Sequence, residues 1–588
     1  MKTLFAALLL PVLLLLSLSA QSTGTHLHTL NTASGGLVKT LDPAQADDIA
    51  SRDLTALVYD TLVQYDYHAR PYKLVPSMLI KMPEVSPDFK SYTFELRSDL
   101  KFAYDPAFKK SLPVTADDVK FSILRIADAR NHSPVYWMFR GKITGLDHFR
   151  NATAKAARQD MSMYDRELPG FIKISDRKFR IVLTEADPRF LYMLAMPNAA
   201  IVSRKAVAHY GRCIARHPVG SGPFQLHQWI PNLRLEFRRN PDFRLEYAPD
   251  GKNRLPLLDR INVFQIRQMM TAWMMFLQGN LDLNAIDKDN INMLTAEGDL
   301  IPALKARQIR VIHLPEFEIR YIGFNFNDKK LGSNLKLRQA LSLSYDVSRR
   351  VRHASGQLIP AQSAIPPGVA GFSPTYRNEF AEYDLAKARR LLAEAGFPNG
   401  IDPETGKPLT LTFDQSDTGI SHRQMGELAV DDWQKLGINV VSVLNSKPRF
   451  FDKLRRNNIQ LFRLSWIGDY PDAENFLQLF YSGNCGSCNR CNFSDAAFDR
   501  MFEKARTMPD SPDRTALYQE MVRYLGTKCA WIYEGFPVSS MLCHSWLKNY
   551  LPHDFSFVRW KYLDVDPVLR KNNKKNFRPL SFRELSGK

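Results

Sequence analysis

The stretch from Leu409 to Leu444, LTLTFDQSDTGISHRQMGELAVDDWQKLGINVVSVL, decides the fold class of this chain. It opens with Leu409, Leu411 and Phe413 in alternation, which is the two-residue period of a half-buried β-strand. An apolar helical stripe follows and is ended by a glycine: Met425, Leu428, Ala429, Trp433, Leu436 and then Gly437. The remaining run, up to Leu444, is rich in β-branched residues. This order predicts a β-α-β unit and therefore an open α/β layer.

Outside this stretch, hydrophobic periodicity predicts further strands and helices. Alternating apolar residues predict strands at Tyr92–Leu96 and Leu233–Phe237. Thr115 and Asp118 have the spacing of a capping box, which predicts a helix that begins after Thr115. Another helix is predicted over Leu385–Ala395, with Gly396 in the left-handed conformation at its end. The chain is therefore predicted to be a mixed α/β protein.

The composition indicates a large folded protein. The chain has 588 residues, of which 45% are hydrophobic and 11% are aromatic. Such a composition excludes low-complexity disorder and supports about three to four domain-sized units. The formal net charge is +18, but the basic residues are scattered along the chain apart from the tail after Arg570. Because no zinc-finger spacing or basic heptad pattern is present, nucleic acid is not an expected partner.

The N-terminal residues predict a secretory signal peptide over residues 1–20. Lys2 supplies a positive charge, and an apolar run from Leu4 to Leu16 precedes the small residues Ser17–Ala20, after which cleavage is expected. The run is shorter than the roughly 20 apolar residues that span a bilayer. The residue directly after the expected cleavage site is Gln21 and not the cysteine that a lipoprotein carries there. The sequence therefore predicts an exported chain that is not a lipoprotein and that lies free in the periplasm.

Three of the six cysteines have the spacing of a metal or iron–sulfur site, as Cys485-x2-Cys488-x2-Cys491. A fourth cysteine is absent, since Asp495 stands where the ferredoxin pattern has its last ligand. An exported protein meets an oxidising compartment, in which thiols normally pair. Disulfides are therefore expected, and neither a metal nor a cofactor is predicted, although a metal site and free thiols stay open as alternatives.

The other cysteines suggest how the disulfides pair. Cys529 and Cys543 lie symmetrically about Phe536 in two predicted strands, so a hairpin would bring them opposite each other. They are the preferred pair. Cys213 would then pair with the loop that holds the cysteines between positions 485 and 491.

Catalytic motifs are absent from the sequence. It contains no H-E-x-x-H, no G-x-S-x-G, no G-K-[ST] phosphate loop and no G-x-G-x-x-G after a strand. No catalytic residue is therefore predicted. A secreted hydrolase stays as an alternative from a different functional class.

Five segments in sequence order carry a resemblance to a known family. The segments are Thr40–Pro43 with Leu57–Leu62, Pro113–Ser122, His217–Phe224, Leu337–Asp346, and Trp466–Asp472 with Phe493–Asp499. Together, behind a predicted signal peptide, they resemble the family 5 extracellular solute-binding proteins. That family includes the oligopeptide-, dipeptide- and nickel-binding receptors of ABC importers.

The resemblance implies a two-lobed periplasmic-binding-protein fold with an extra N-terminal subdomain and a ligand cleft between the lobes. The expected ranges are 21–60, 211–316 and 537–588 for lobe I, 61–210 for the extra subdomain, and 317–536 for lobe II. The chain is expected to cross between the lobes near Glu316–Tyr321 and near Glu534–Ser539. The lobes are expected to close around the ligand by hinge motion.

The resemblance also implies a function. It points to a monomeric receptor that captures oligopeptides or dipeptides, delivers them to ABC permease subunits in the inner membrane, and catalyses no reaction. Members of the family also take nickel complexes, haem, sugars or opines, and these ligands stay open. A peptide needs its terminal charges neutralised inside the cleft, because an unpaired buried charge costs several kcal/mol.

The motif Trp466–Asp472 holds the predicted ligand-binding residues. In the peptide-binding members that Trp466-x-x-Asp469 resembles, the aspartate pairs with the peptide α-amino group, so Asp469 is expected to bind a ligand ammonium group. It follows a predicted strand, at the end where open α/β sheets place their ligands. Trp466 and Tyr470 are expected to contact the ligand, and the planar guanidinium of Arg463 is expected to take a ligand carboxylate. Asp472 is a second carboxylate that could share or take over the role of Asp469, and a turn-capping role for Asp469 is the alternative.

Overall fold

The computed structural model describes residues 27–34, 36–157, 160–266, 268–286, 293–294, 299–354, 356–555, 557–575 and 577–585. The predicted signal peptide, residues 1–20, lies outside the described residues, so it stays a prediction. Within the described ranges, no helix is long and apolar enough to cross a membrane.

The helices are spread along the whole chain. In chain order they are α1 (Ile49–Val58), α2 (Ala116–Ala127), α3 (Leu146–Thr153), α4 (Phe190–Ala195), α5 (Arg204–Tyr210), α6 (Met269–Leu277), α7 (Pro302–Lys305), α8 (Leu335–Leu343), α9 (Val347–His353), α10 (Leu385–Glu394), α11 (Ile420–Gln434), α12 (Lys447–Arg455), α13 (Glu474–Leu477), α14 (Ala496–Thr507), α15 (Pro512–Lys528), α16 (Pro567–Lys574) and α17 (Phe582–Leu585).

The strands alternate with these helices, as expected of an α/β protein. They are β1 (Thr29–Ala33), β2 (Val63–Tyr65), β3 (Leu74–Pro76), β4 (Glu84–Val85), β5 (Ser91–Glu95), β6 (Phe171–Lys173), β7 (Lys178–Val182), β8 (Phe224–Ile230), β9 (Arg234–Arg239), β10 (Arg260–Phe264), β11 (Leu283–Ile286), β12 (Arg310–Pro315), β13 (Glu318–Phe324), β14 (Leu358–Pro360), β15 (Ile401–Asp402), β16 (Lys407–Pro408), β17 (Thr410–Gln415), β18 (Asn439–Leu444), β19 (Leu461–Ile467), β20 (Trp531–Cys543), β21 (Leu547–Lys548) and β22 (Asp564–Val565).

Two four-stranded sheets lie in the first half of the chain. One has the strand order β1-β10-β9-β8. In its parallel pair, β1 near the start of the described chain lies beside β10, more than 200 residues later in sequence. The other has the order β4-β5-β7-β6 and is antiparallel. The first sheet falls in the range expected for lobe I, and the second falls in the range expected for the extra subdomain.

The largest sheet has the order β11-β20-β13-β19-β17-β18, with β12 and β14 also paired to β20. β20 is 13 residues long and continuous. Up to Pro537 it pairs with β13 and β14, and from Val538 onward it pairs with β12 and β11. The change of partners coincides with the crossing expected near Glu534–Ser539. The exact lobe boundaries stay a prediction.

The structure confirms the β-α-β unit predicted over Leu409–Leu444. β17 and β18 are parallel neighbours, and α11 joins them. Leu411, Phe413 and Trp433 are fully buried between the sheet and the helices, and Trp433 Nε1 donates to the Leu341 carbonyl at 3.0 Å. Gly437 ends the unit's helical segment with φ of +83°, as predicted.

The other local predictions are largely confirmed. α2 begins after Thr115, whose N–H donates to the Asp118 carboxylate at 3.0 Å, and Gly396 follows α10 with φ of +96°. One strand start was wrong: β9 begins at Arg234, and the Leu233 side chain is 55% exposed. Leu233 belongs to the turn between β8 and β9, where its N–H donates to the Ile230 carbonyl at 3.1 Å.

The predicted disulfide between Cys529 and Cys543 is wrong. Cys529 caps the end of α15 with φ of +44°, two residues before β20, and Cys543 is the last residue of that strand, so no hairpin brings them together. At a rise of about 3.3 Å per residue, β20 alone separates them by about 40 Å, whereas a disulfide needs a Cα–Cα distance of about 4.4–6.8 Å. All six cysteines are free thiols in the structure: Cys213, Cys485, Cys488, Cys491, Cys529 and Cys543. Among the described residues no cluster of metal-ligating side chains is found.

Candidate functional site

The site begins where β19 ends. β19 lies inside the largest sheet, antiparallel to β13 and parallel to β17. Directly after it, the Gly468 N–H donates to the Phe317 carbonyl at 2.8 Å. A Cβ at position 468 would overlap the Phe317 ring, so only glycine fits this close approach. The turn places Asp469 just past the carboxyl end of the strand, as the sequence predicted.

Asp469 lines a cavity of about 610 Å³. This volume is within the range of about 300–1,000 Å³ that is typical of small-molecule sites. The lining comes from two distant parts of the chain: Trp137, Lys142, Asp187, Arg189 and Met193 from one, and Trp466, Asp469, Tyr470, Glu474, Asn475, Gln478, Tyr481, Asn484, Phe502 and Arg506 from the other. The cavity is therefore a cleft between the segment predicted to form the extra subdomain and the segment predicted to form lobe II.

The side-chain amide of Asn475 holds the Trp466–Asp469 turn together. Its oxygen accepts from Trp466 Nε1 at 2.9 Å and from the Asp469 backbone N–H at 3.2 Å. Asn475 lies in α13, so the helix that follows the motif fixes both residues. The indole ring of Trp466 and the backbone of Asp469 are therefore held in place by the protein itself.

The Asp469 carboxylate has no cationic partner in the part of the chain that the structure describes. No lysine, arginine or histidine nitrogen of those residues lies within 4 Å of it. Burial raises its pKa, and the Asn475 side chain and the Arg52 guanidinium in α1 act in the opposite direction. A mostly buried carboxylate that faces a cavity and has no ion-pair partner within 4 Å among the described residues is suited to a ligand cation.

The neighbouring charges of the cleft are paired with one another. The Lys142 ammonium group contacts the Asp187 carboxylate, and Arg189 Nη1 lies 2.6 Å from Glu474 Oε1. Burial alone would raise the pKa of Asp187, but Lys142 and Arg189 lower it. These contacts leave little capacity in Lys142 and Arg189 for a ligand anion.

Tyr470 has a second role besides lining the cleft. Its ring stacks on the Tyr192 ring, with centroids 5.6 Å apart and planes 6° from parallel. Its hydroxyl donates to the Glu474 carboxylate at 2.6 Å. Because Tyr192 lies in α4, this stack joins the two parts of the chain that form the cleft.

Arg463 lies away from the cleft. Successive side chains of a strand point to opposite faces, so Arg463 and Trp466, three positions apart, lie on opposite faces of β19. Arg463 Nε donates to both carboxylate oxygens of the buried Glu534, at 2.8 and 3.0 Å, and the Tyr345 hydroxyl also donates to Glu534. The structure thus brings Trp466, Asp469 and Tyr470 together but not Arg463, whose ligand role stays a prediction.

Asp472 is held inside the protein. Its carboxylate lies 2.8 Å from Arg514 Nη1 and accepts from the Tyr518 hydroxyl at 2.8 Å. Both partners lie on α15. Asp472 does not line the cavity, so it is a structural neighbour of Asp469.

Sequence reasoning missed the cleft residues outside the motif. Lys142, Asp187 and Arg189 lie about 280 or more positions before Asp469 in the chain, and nothing in their local sequence marks them. Arg506 lies in the last turn of α14, where a basic residue also suits the helix dipole. Only Glu474 and Asn475 follow the motif so closely that a local sequence pattern could have indicated them.

The chain matches the family model described as bacterial extracellular solute-binding proteins, family 5 Middle, over residues 73–487. It is 26% identical to heme-binding protein A from Haemophilus influenzae, with 87% of each chain covered. It is 28% identical to di/tripeptide-binding protein 1 from Pseudomonas aeruginosa, over 82% of this chain and 83% of that protein.

A solved structure confirms the predicted fold. The chain is similar to MppA, a periplasmic murein tripeptide binding protein, in its unliganded open form, with a TM-score of 0.74 and 23% identity. The match covers 92% of this chain and 99% of that one. The fold is therefore the two-lobed α/β fold of the periplasmic binding proteins.

Proposed function

Because this chain belongs to the bacterial extracellular solute-binding proteins, family 5, we propose that it captures short peptides in the cleft around Asp469 and delivers them to an ABC importer. The observation that carries the proposal is the mostly buried Asp469 carboxylate without a cationic partner among the described residues. The ionised form of such a carboxylate is stabilised when an opposite charge joins it. A peptide supplies that charge with its α-ammonium group.

Haem is the second candidate ligand, because one relative is named a heme-binding protein. Haem and sugars offer no ammonium group to Asp469, and they would leave the buried carboxylate unpaired. The 28% identical relative is named for di- and tripeptides, which do offer one. The charge of the cleft therefore favours peptides.

The wider role follows from the family and from the predicted signal peptide. We propose a monomeric receptor in the periplasm, exported without a lipid anchor, whose partners are the permease subunits in the inner membrane. The family consists of solute-binding receptors, and the proposed role includes no catalysis. Release of products from peptides by the purified chain, with saturable kinetics, would contradict it and favour a hydrolase.

The test begins with the ligand that co-purifies with the protein, identified by mass spectrometry after denaturation. Its binding is then measured by calorimetry to the parent and to Asp469→Asn, which keeps the shape of the side chain and removes its charge. Loss of the buried partner of an ammonium group is expected to weaken binding by about 2–5 kcal/mol.

A matched control is Asp452→Asn, which makes the same change at an exposed position on α12, where Asp452 pairs with Arg455 and Arg456. This control is expected to bind as the parent does. Equal affinity of Asp469→Asn and the parent, or a ligand without any cationic group, would contradict the proposal.

A further inference from the structure

Helix α6 (Met269–Leu277) differs from an ordinary surface helix because it contains no charged residue. Its nine residues are MMTAWMMFL, in which one side chain is polar, although 24% of the whole chain is charged. One face of the helix packs in an apolar cluster through four side chains: Ala272, Trp273, Phe276 and Leu277. A helix with a single buried face normally carries charged side chains on the opposite one. The outward face of α6 therefore has the composition of a contact surface.

Three methionines form this outward face. Met269, Met270 and Met274 are 45%, 54% and 48% exposed, and we call them the methionine face. Met270 and Met274 are four positions apart, so their side chains lie one above the other along the helix. Single exposed apolar residues are common on protein surfaces, but a contiguous apolar patch marks an interaction site. The methionine face is thus an apolar surface that burial against a partner would remove from water.

A group of lysines lies beside the end of α6. Lys571, Lys574 and Lys575 are spaced by three and four positions on α16 and its C-cap, so they share one face, which we call the lysine face. A Cβ at Gly279 would lie 3.2 Å from Lys574 Cγ, and Lys574 Nζ donates to Asn280 Oδ1 at 3.0 Å. Because Gly279 follows α6 by two residues, the lysine face lies next to the C-terminal end of that helix.

The cations at this end of α6 are not balanced by carboxylates. Arg307 Nη1 donates to the Leu277 carbonyl at 2.6 Å and adds a fourth cation to the three lysines. Among the residues that the structure describes, no Asp or Glu oxygen lies within 4 Å of these four cationic groups. Asp282, just after the helix, is fully buried, and Glu584 pairs with Arg578. The positive charge is therefore available to an anionic partner.

We propose that the methionine face and the lysine face together bind the surface of an anionic lipid bilayer. In this arrangement the methionine side chains enter the headgroup layer, and the lysine ammonium groups contact the anionic headgroups. The inference goes beyond the proposed function and does not depend on it. Taken with the proposed function, it places the receptor at the membrane of its importer.

Two properties favour a bilayer over a protein partner. The whole chain has a net charge of +18, so its electric field attracts it to any extended anionic surface. Methionine side chains are unbranched and flexible, so they adapt to a fluid surface without a fixed shape. Lysine side chains suit the same surface, because their apolar stems lie along apolar groups while the ammonium group stays at the headgroups.

Sedimentation with sucrose-loaded vesicles tests the inference. The chain as secreted, without the predicted signal peptide, is mixed with vesicles of phosphatidylcholine alone or of phosphatidylcholine with an equal amount of phosphatidylglycerol. The partition coefficient is expected to be at least about tenfold higher for the anionic vesicles. It is expected to fall by about fivefold or more between about 0.1 M and about 1 M salt, because salt screens exposed charges.

Met270→Gln combined with Met274→Gln removes the apolar part of the surface and keeps a good helix former at both positions. This double variant is expected to lower the partition coefficient for anionic vesicles by about tenfold, because less apolar surface leaves the water. The matched control is Phe451→Gln, which removes an apolar side chain that is 37% exposed on α12. It is expected to bind as the parent does.

Lys571→Gln combined with Lys575→Gln removes two charges of the lysine face. The partition coefficient for anionic vesicles is expected to fall by about 10- to 30-fold, because each cation at an anionic surface contributes about fivefold. The matched control combines Arg390→Gln and Arg500→Gln, which remove two exposed cations from α10 and α14. It lowers the net charge equally and is expected to weaken binding by less than about threefold.

Thermal unfolding verifies that each variant is folded, and the single variants Met270→Gln and Lys571→Gln replace a pair that is not. Equal partition into neutral and anionic vesicles, or unchanged partition in the variants of both faces, would overturn the inference. Protease-sensitive binding to inner-membrane vesicles, with no binding to protein-free anionic vesicles, would assign the surface to a membrane protein and overturn it as well. Calorimetry of peptide binding, expected to be unchanged in all these variants, reports separately on the proposed function.

Discussion

Asp469 and Asp472 are three positions apart, yet their side chains have opposite surroundings. Asp469 faces the cleft without a cationic partner among the described residues, whereas Asp472 is buried against Arg514 and Tyr518. We therefore propose that Asp469 serves ligand binding and that Asp472 serves stability. Asp469→Asn and Asp472→Asn make the same chemical change at the two positions, so a comparison of these variants separates the two roles.

The residue-scale prediction for Asp472 concerns stability. Asp472→Asn leaves the buried Arg514 charge uncompensated and is expected to lower the free energy of unfolding by about 3–5 kcal/mol. Asp469→Asn removes a buried carboxylate that has no close partner among the described residues, and it is expected to leave the free energy of unfolding unchanged or to raise it. Urea unfolding followed by circular dichroism measures both. Equal stability of the two variants would contradict these assignments.

A second residue-scale prediction concerns the pH dependence of peptide binding. Burial raises the pKa of Asp469, and only the ionised carboxylate attracts an ammonium group. Affinity is therefore expected to fall as the pH decreases through that raised pKa, before an exposed aspartate with its pKa of about 3.9 protonates. Asp187 stays ionised, because Lys142 and Arg189 lower its pKa.

Calorimetric titrations of a bound dipeptide from about pH 7 down to about pH 4, close to the ordinary aspartate pKa, measure this effect. Asp469→Asn is the control and is expected to bind weakly with no such fall. A fall of equal size in the variant would show that another group titrates.

At the scale of elements, two glycines with left-handed backbone terminate helical segments in different surroundings. Gly437 has φ of +83°, and an added Cβ would overlap the Asn399 carbonyl oxygen. Gly396 has φ of +96°, but an added Cβ there meets nothing within 4 Å. The first glycine thus has a steric role as well as a conformational one.

Gly437→Ala is therefore expected to destabilise the protein more than Gly396→Ala. The left-handed backbone costs an alanine about 1–2 kcal/mol at either position, and the steric overlap adds to this cost only at Gly437. Midpoints of urea unfolding compare the two variants. A larger loss for Gly396→Ala would show that the packing of Gly437 against Asn399 is unimportant.

At the scale of the whole molecule, the two sides of the cleft touch through a few named contacts. The Arg189–Glu474 ion pair and the Tyr192–Tyr470 stack join the segment before residue 211 to the segment after residue 316. Closure of a two-lobed protein around a ligand needs contacts of this kind. We therefore expect these contacts to favour a closed cleft over an open one.

Arg189→Gln is expected to shift the unliganded protein toward an open form. Small-angle X-ray scattering should show a larger radius of gyration, and peptide affinity should fall by roughly tenfold, because fewer molecules are competent to bind. Arg204→Gln, which breaks an exposed pair with Asp165, is the control and should change neither quantity. An unchanged radius and affinity in Arg189→Gln would contradict a role in closure.

Local sequence patterns determined the fold class and much of its detail. The β-α-β unit at Leu409–Leu444, the capping box at Thr115 and the glycines after two helical segments were predicted correctly, because each depends on residues close in sequence. The position of Asp469 after a strand was predicted for the same reason. The resemblance to the family, carried by short motifs, was also a local observation.

The tertiary structure alone decided which distant residues meet. The sequence near Phe536 has the same strand pattern whether the chain turns there or continues. Only the long-range pairing with β11–β14 shows that β20 is continuous. Cys529 and Cys543 are therefore far apart. Strand pairing decides that Arg463 meets Glu534, because β19 and β20 both pair with β13. The pairing of charges in the cleft depends on partners about 280 or more positions away in sequence, and local periodicity carries no information about contacts at such separations.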